Sequence, residues 1–283
     1  MVSIRDALEL AVCRIASEVR ELHQEGLGRE TVGSVPGRPE TEDVEIGIDS
    51  HCDEIFRETL SNIGSTVALY SEHGSYLIGN GDPEYLVSVD PFDGSGLYQR
   101  GIPAEWWSVA SYFDNAGVPL GGVAVDIIRN EIYVSDEDGI LFGSIERGVR
   151  QEAHPASTRK ISDDLTIAAY LMDPSYLTKW SARFSDLVTR YPGLRIWPNG
   201  GASIYPWLAR GLVDAYVMFD EPRSEIDPGI GFSNWSGIKL FDVGQNGDLS
   251  GYQFDPDIRS GRVPFFIAAC TQDLAYAIVN ELA

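Results

Sequence analysis

Val87-Ser88-Val89-Asp90-Pro91-Phe92-Asp93-Gly94-Ser95-Gly96-Leu97-Tyr98 is an apolar run that stops on two carboxylates, a proline and a glycine. Val87 and Val89 alternate with Ser88 after Tyr85 and Leu86, which predicts a buried strand. Gly94-Ser95 is the kind of pair that ends a strand and caps a helix, so Asp90 and Asp93 are expected in a tight turn at the strand's carboxyl end. With Pro91 fixing one backbone angle between them, the two acids can point into one small space. Like charges that close are unfavourable unless a cation lies between them. Hard oxygen donors in this arrangement suit Mg²⁺, Mn²⁺ or Ca²⁺ better than zinc.

The composition narrows what such a cation could serve. At 283 residues the chain can bury the core of one large or two modest domains. Its formal net charge of −22 argues against a nucleic-acid polymer as partner, because phosphate backbones are bound by basic faces. An acidic protein holds an anionic substrate only where metal ions or helix N-termini reverse the sign locally. No apolar run reaches the roughly 18 residues of a membrane span. Arg5, Asp6, Glu9, Arg14, Glu18 and Arg20 interrupt the first apolar segment, unlike a signal peptide, so a cytoplasmic protein without membrane attachment is expected. Cys13, Cys52 and Cys270 are scattered and read as reduced thiols.

Outward from the opening stretch, the elements follow from spacing. Ile4, Leu8, Ala11, Val12, Ile15, Val19 and Leu22 recur at helical intervals, predicting an amphipathic helix. Residues 26–45, rich in Gly, Pro, Thr and acids, read as a mobile loop, and Asp49 then stands where an N-cap would open the helix of Ile55, Phe56 and Leu60. Val67-Ala68-Leu69-Tyr70 is a short strand ended by Ser71-Glu72-His73-Gly74, with His73 as an exposed turn residue. Segments 107–113, 121–128, 131–135 and 140–143 predict an antiparallel meander. With the strands at 67 and 85 it makes a large mixed sheet with helices outside it, and Trp106 and Trp107 are core or rim aromatics. The polar stretch 147–162 divides the chain into halves 1–150 and 151–283. Strand 165–171, helix 175–190 and strand 194–197 predict an α/β second half with a partly parallel sheet. Pro198-Asn199-Gly200-Gly201-Ala202-Ser203 is a Gly-rich turn that feeds a helix over 204–210 and exposes N–H groups to an anion or to hydroxyls. Strands at 213–217, 238–243 and 264–269 and a closing helix at 272–282 complete the reading.

Asp90-Pro91-Phe92-Asp93-Gly94-Ser95, with an aromatic following at Tyr98, resembles the first signature of the inositol monophosphatase family. That family lies within the Mg²⁺-dependent, lithium-sensitive sugar phosphatase superfamily, which includes fructose-1,6-bisphosphatase. Matching positions run in the family's order from Asp49 to Asp227, and the terminal helices extend the likeness over nearly the whole chain. The resemblance implies an α/β (α+β) layered fold, with a large mixed sheet between helices followed by a smaller α/β half. It implies that Glu72, Asp90 and the Phe92 carbonyl hold one Mg²⁺, and that Asp90, Asp93 and Asp227 hold a second. A third, looser ion would sit on Glu72 through water, and Mn²⁺ would substitute. Asp49 and Ser95, with Asp93 beside them, become the catalytic residues that orient and deprotonate a water. Gly94 and Ser95 would hold the phosphate, Gly200, Gly201 and Ala202 would contact substrate, and Asp220 stands where the family has an acid for a substrate hydroxyl.

The chain departs from the family pattern at three places. Phe92 replaces an aliphatic residue, and His73 replaces a second acid. The second signature reads Ile226-Asp227-Pro228-Gly229, without its aromatic and with a proline of the kind tolerated in a first helical turn. That places Asp227 at a helix N-terminus. The function implied is metal-assisted hydrolysis of a phosphate monoester of an inositol or sugar, by a homodimer. Two alternatives are a phosphatase of fructose 1,6-bisphosphate or a 3′-phosphonucleotide, with Arg100 and Arg223 as candidates for a second phosphate, and a catalytically weak phosphate-binding regulatory homologue.

Overall fold

The structure is a computed structural model that describes residues 2–35, 44–148, 150–258 and 261–282. Helix α1 (Ile4–Glu25) buries Ile4, Leu8, Ala11, Val12, Ile15 and Val19, the stripe its spacing predicts. Ser3 caps its start by accepting the Asp6 N–H. Each fully buried aliphatic side chain of that stripe contributes about 1.5–3 kcal/mol. The expected mobile loop after α1 is partly ordered as a ribbon: β1 (Thr31–Ser34) pairs antiparallel with β2 (Val44–Ile46). Residues 36–43, also within that expected loop, lie outside the described residues. Helix α2 (Gly47–Leu60) follows β2 directly.

Strands β3 (Val67–Ser71) and β4 (Gly74–Ile78) form a tight hairpin with Glu72 and His73 at its turn. Strand β5 (Tyr85–Asp93) lies parallel to β3, and helix α3 (Ser95–Gln99) leaves its end. The predicted meander is present as β6 (Trp107–Asp114), β7 (Pro119–Asp126), β8 (Glu131–Asp136) and β9 (Gly139–Ser144), with β10 (Arg150–Glu152) added at its edge. The eight-stranded sheet runs β10-β9-β8-β7-β6-β5-β3-β4.

The second half builds β11 (Thr166–Ala168), α4 (Pro174–Arg190), β12 (Arg195–Trp197), α5 (Ile204–Ala209) and β13 (Ala215–Pro222). Then come α6 (Arg223–Ile226), a 3-10 turn at Asp227–Gly229, α7 (Gly231–Ser236), β14 (Lys239–Val243) and β15 (Leu249–Gly251). Strand β16 (Arg262–Ala269) and α8 (Gln272–Leu282) end it. A six-stranded sheet results, in the order β12-β11-β13-β16-β14-β15, with β11 parallel to both β12 and β13.

Alternation sorts the eight-stranded sheet's side chains between two cores. Val87, Val89, Ala110, Tyr112, Val123 and Val125 face α1 and α2, whereas Leu86, Val109, Phe113 and Ala124 face the second half. Both faces are therefore buried, and these strands read as near-continuous apolar runs. Helices α5, α6 and α7 lie between the two sheets, and α4 and α8 cover the far side of the second. The layers thus alternate helix, sheet, helix, sheet, helix. Among the described residues no helix is long and apolar enough to cross a membrane.

Candidate active site

Strands β3 and β5 are the only parallel neighbours in the eight-stranded sheet among the described residues, so their carboxyl ends lie side by side. Ser71 is level with Val89 in that register, which sets Glu72 beside Asp90. Such paired carboxyl ends are where α/β sheets leave room for a ligand. The expected tight turn from Asp90 to Asp93 is a bulge within β5. Asp90 faces Val109 and Asp93 faces Trp107, with Pro91 and Phe92 in between against Ser108 alone. The strand then breaks at Gly94, whose φ of 114° excludes other residues, and whose Cβ would stand 2.5 Å from the Glu105 carbonyl oxygen.

A cleft of about 420 Å³ opens at this end of the sheet. From the first half, Glu72, Asp90, Phe92, Asp93, Gly94, Ser95 and Arg100 line it; from the second, Gly200 and Gly201 do. Asp49 is buried behind it, accepting the Ile46 N–H at 2.8 Å and the Ser95 hydroxyl at 2.5 Å. The Asp49–Ser95 pair expected from the sequence is therefore formed. Ser95 Oγ also lies 3.0 Å from the Phe92 carbonyl, but its one proton goes to the shorter, charged acceptor. Ala202 is fully buried and does not line the cleft.

The other predicted residues need adjustment. Asp220 is not a cleft residue: its side chain is 46% exposed and pairs with Lys179 at 2.9 Å. It has φ +64° and stands opposite Pro264, which has no N–H to offer β13. That kink turns its neighbour Glu221 inward to the cleft, with 2% exposure. There Glu221 accepts the Tyr216 hydroxyl at 2.5 Å, and that hydroxyl accepts the Gly201 N–H at 2.9 Å. Asp220, the residue expected at the substrate, thus lies beside the cleft-lining Glu221, and the left-handed backbone that exchanges the two has no mark in the sequence. Glu225, Asn199, Tyr170 and Tyr176 also line the cleft and were not anticipated.

Asp227 is the first residue of the 3-10 turn, with Pro228 beside it, but α6 runs directly into that turn. The helical stretch begins four residues earlier at Arg223, and the Asp227 N–H already bonds the Arg223 carbonyl. Its carboxylate, 1% exposed, faces a small cavity that Glu72 also lines, and accepts the Tyr252 hydroxyl at 2.6 Å. The turn it sits on is clasped by the large sheet. The Ser111 hydroxyl donates to the Pro228 carbonyl at 2.6 Å and accepts the Gly231 N–H at 2.7 Å, and the Ser135 hydroxyl donates to the Gly231 carbonyl at 2.9 Å. Gly231 is essential to that approach, since a Cβ there would stand 2.0 Å from the Gly121 carbonyl oxygen. His73, expected to be exposed, has a side chain only 6% exposed, lying 3.4 Å from Glu72 and 3.8 Å from Glu45.

Burial, and then the neighbouring charge of Glu225, push the Asp93 carboxyl up to about 8, although the Ser203 N–H bonds it at 3.0 Å. The Glu72, Asp90 and Asp93 carboxylates and Phe92 line the cleft with hard oxygen donors, of the chemistry that suits Mg²⁺ or Mn²⁺. Among the described residues no three His, Cys, Asp or Glu side chains are gathered closely enough to hold a metal as they stand. The donors converge on the cleft without closing into a finished cage.

No family model matches the chain, and no curated protein matches it in sequence. Solved structures do match along its length. The extragenic suppressor protein SuhB of Bartonella henselae superposes with a TM-score of 0.72 at 16% identity, covering 98% of this chain and 97% of its own. An inositol monophosphatase from Anabaena gives 0.67 at 16% identity, over 98% and 94% of the two chains. A protein described as an inositol monophosphatase-fructose 1,6-bisphosphatase gives 0.73 at 19% identity, over 99% and 100%. At such identities the shared property is the path of the chain: this protein has the fold of the inositol monophosphatase and SuhB structures.

Proposed function

We propose that the chain is a Mg²⁺-dependent phosphatase acting on a phosphate monoester of an inositol or sugar. The observation that carries this reading is the convergence of Glu72, Asp90, Asp93 and Ser95 with Gly200 and Gly201 in one cleft, backed by the bonded Asp49–Ser95 pair. Glu72, Asp90, the Phe92 carbonyl, Asp93 and Asp227 are the groups that would hold Mg²⁺, or Mn²⁺ in its place. When bound, such ions supply Lewis acidity and offset the charge of the phosphoryl oxygens.

The chain's own residues supply the rest. Ser95 Oγ, with its proton committed to Asp49, turns its lone pairs outward, where an attacking water can donate to it. The proton moves to Asp49 through the hydroxyl as the new P–O bond forms and the ester P–O bond breaks; the departing oxygen takes a proton from a solvent water and leaves as an alcohol, and Asp49 returns its proton to solvent, so that charge and protons balance over the cycle. Gly94 and Ser95 N–H groups hold the phosphate. Glu221, in place of Asp220, accepts a substrate hydroxyl, while Gly200 and Gly201, steadied by Tyr216, form the opposite wall. A cytoplasmic location is part of this reading through the composition, and a homodimer through the resemblance alone.

Arg100 favours a second reading. Among the described lining residues it is the only Lys or Arg, and a second phosphate would need it. Arg223, the other candidate, is not at the cleft and is engaged by Tyr252 and Asp242. A monoester therefore fits one cation better than a bisphosphate does. The test is phosphate release from inositol phosphates, sugar phosphates, fructose 1,6-bisphosphate and 3′-phosphonucleotides, with and without Mg²⁺ and Li⁺. Release that requires Mg²⁺ and is fastest on a monoester is the expected result. Preference for a bisphosphate selects the second reading, and no release from any substrate leaves a phosphate-binding homologue.

A further inference from the structure

Asp227 is held by a residue that follows it by 25 positions. Tyr252 donates its hydroxyl to Asp227 Oδ1 at 2.6 Å, and the Tyr252 phenolic oxygen accepts from Arg223 Nη1 at 3.1 Å. A phenol has one proton. With Arg223 occupying the oxygen as donor, that proton has one direction, toward Asp227. The ring has little freedom to turn away: Phe266 meets it edge-on at 5.6 Å, the Arg223 guanidinium lies 4.8 Å over its face, and its backbone N–H bonds the Leu240 carbonyl at 3.0 Å.

We propose that Tyr252 is a positioning residue, which fixes the Asp227 carboxylate opposite Glu72 for a divalent cation. The inference rests on the metal reading above. Holding Oδ1 stops rotation about the Cβ–Cγ bond of Asp227 and so sets where both oxygens lie relative to Glu72 across the small cavity. The donor is neutral, which matters. A guanidinium bonded directly to Asp227 would offset the charge that the cation needs, whereas the phenol relays the orientation of Arg223 and leaves that charge in place. Outer partners of metal ligands act in this way, and their loss costs about 10–100-fold in metal affinity.

The experiment is calorimetric titration of the full chain with Mg²⁺, and separately Mn²⁺, without substrate, alongside thermal unfolding. Tyr252→Phe keeps the ring and removes only the hydroxyl; it should weaken one class of cation site about tenfold or more. Arg223→Gln should weaken the same class by a smaller factor, and it decides the matter if Tyr252→Phe does not fold. A purely structural hydroxyl would lower the melting temperature while the folded chain bound cations as before, and that result overturns the inference. Asp227→Asn separates the two levels. If it binds cations like the unaltered chain, the metal assignment itself fails; if it loses a site that Tyr252→Phe and Arg223→Gln both keep, only the present inference fails.

Discussion

Residues 85–95 and residues 220–231 deliver acids to the same region by different means. In the first, Glu72 and Asp90 stand at adjacent carboxyl ends of two parallel strands, and a bulge and one glycine place Asp93 and Ser95. The geometry is local, held by the register of neighbouring strands and by Gly94. In the second, Glu221 faces the cleft because Asp220 adopts φ +64°, and Asp227 is placed by Ser111, Ser135 and Tyr252, which lie far away in sequence. A strand-built motif can lose a side chain and keep its backbone, whereas a clasped turn depends on each of its fasteners.

Five substitutions bear on that contrast. Asp90→Asn should lower Mg²⁺-dependent phosphate release by more than about 100-fold, the upper figure for mere outer partners of a metal, with unchanged thermal unfolding. Most turnover surviving would sink the metal assignment. Ser95→Ala should cost about 100-fold in kcat, again without loss of stability, since a general base and its relay supply roughly 10²–10⁴; a drop in melting temperature instead would mean that the Asp49–Ser95 bond is only a brace. Gly231→Ala acts on the other region and should destabilise the chain by about 1–3 kcal/mol in denaturant unfolding, because its Cβ meets the Gly121 carbonyl. Unchanged stability there would show that the turn is not wedged against the sheet. Asp220→Asn should be nearly silent, within about 0.5 kcal/mol and about twofold in KM, as expected of an exposed ion pair. Glu221→Gln should raise KM by more than that, and the opposite ranking would restore Asp220 to the site.

The same contrast explains what was legible. Val87 to Ser95 could be read because alternation, proline, glycine and two acids are written into consecutive residues. The near-continuous apolar runs of β6 to β8 were equally open, since both faces of those strands are buried. Strand β10 was not, because all three of its residues are exposed and carry no apolar signal. The fate of Asp220 depends on its facing Pro264, more than 40 positions away, and a single flipped residue exchanges which neighbour faces inward. Glu45, 3.8 Å from the buried His73 side chain, enters from a ribbon that reads as a loop in composition. Helix α6, which runs into the turn of Asp227, starts at Arg223 without a capping side chain, so its start left no mark.

The clasp of Gly231 by Ser111 spans 120 residues, which gives the site a history during synthesis. At about 5–20 residues per second, roughly 6–24 s separate the appearance of the two partners at the ribosome. For that interval the emerging first half carries Glu72, Asp90 and Asp93 on strand ends that no second half covers, together with an apolar sheet face meant for α5 to α7.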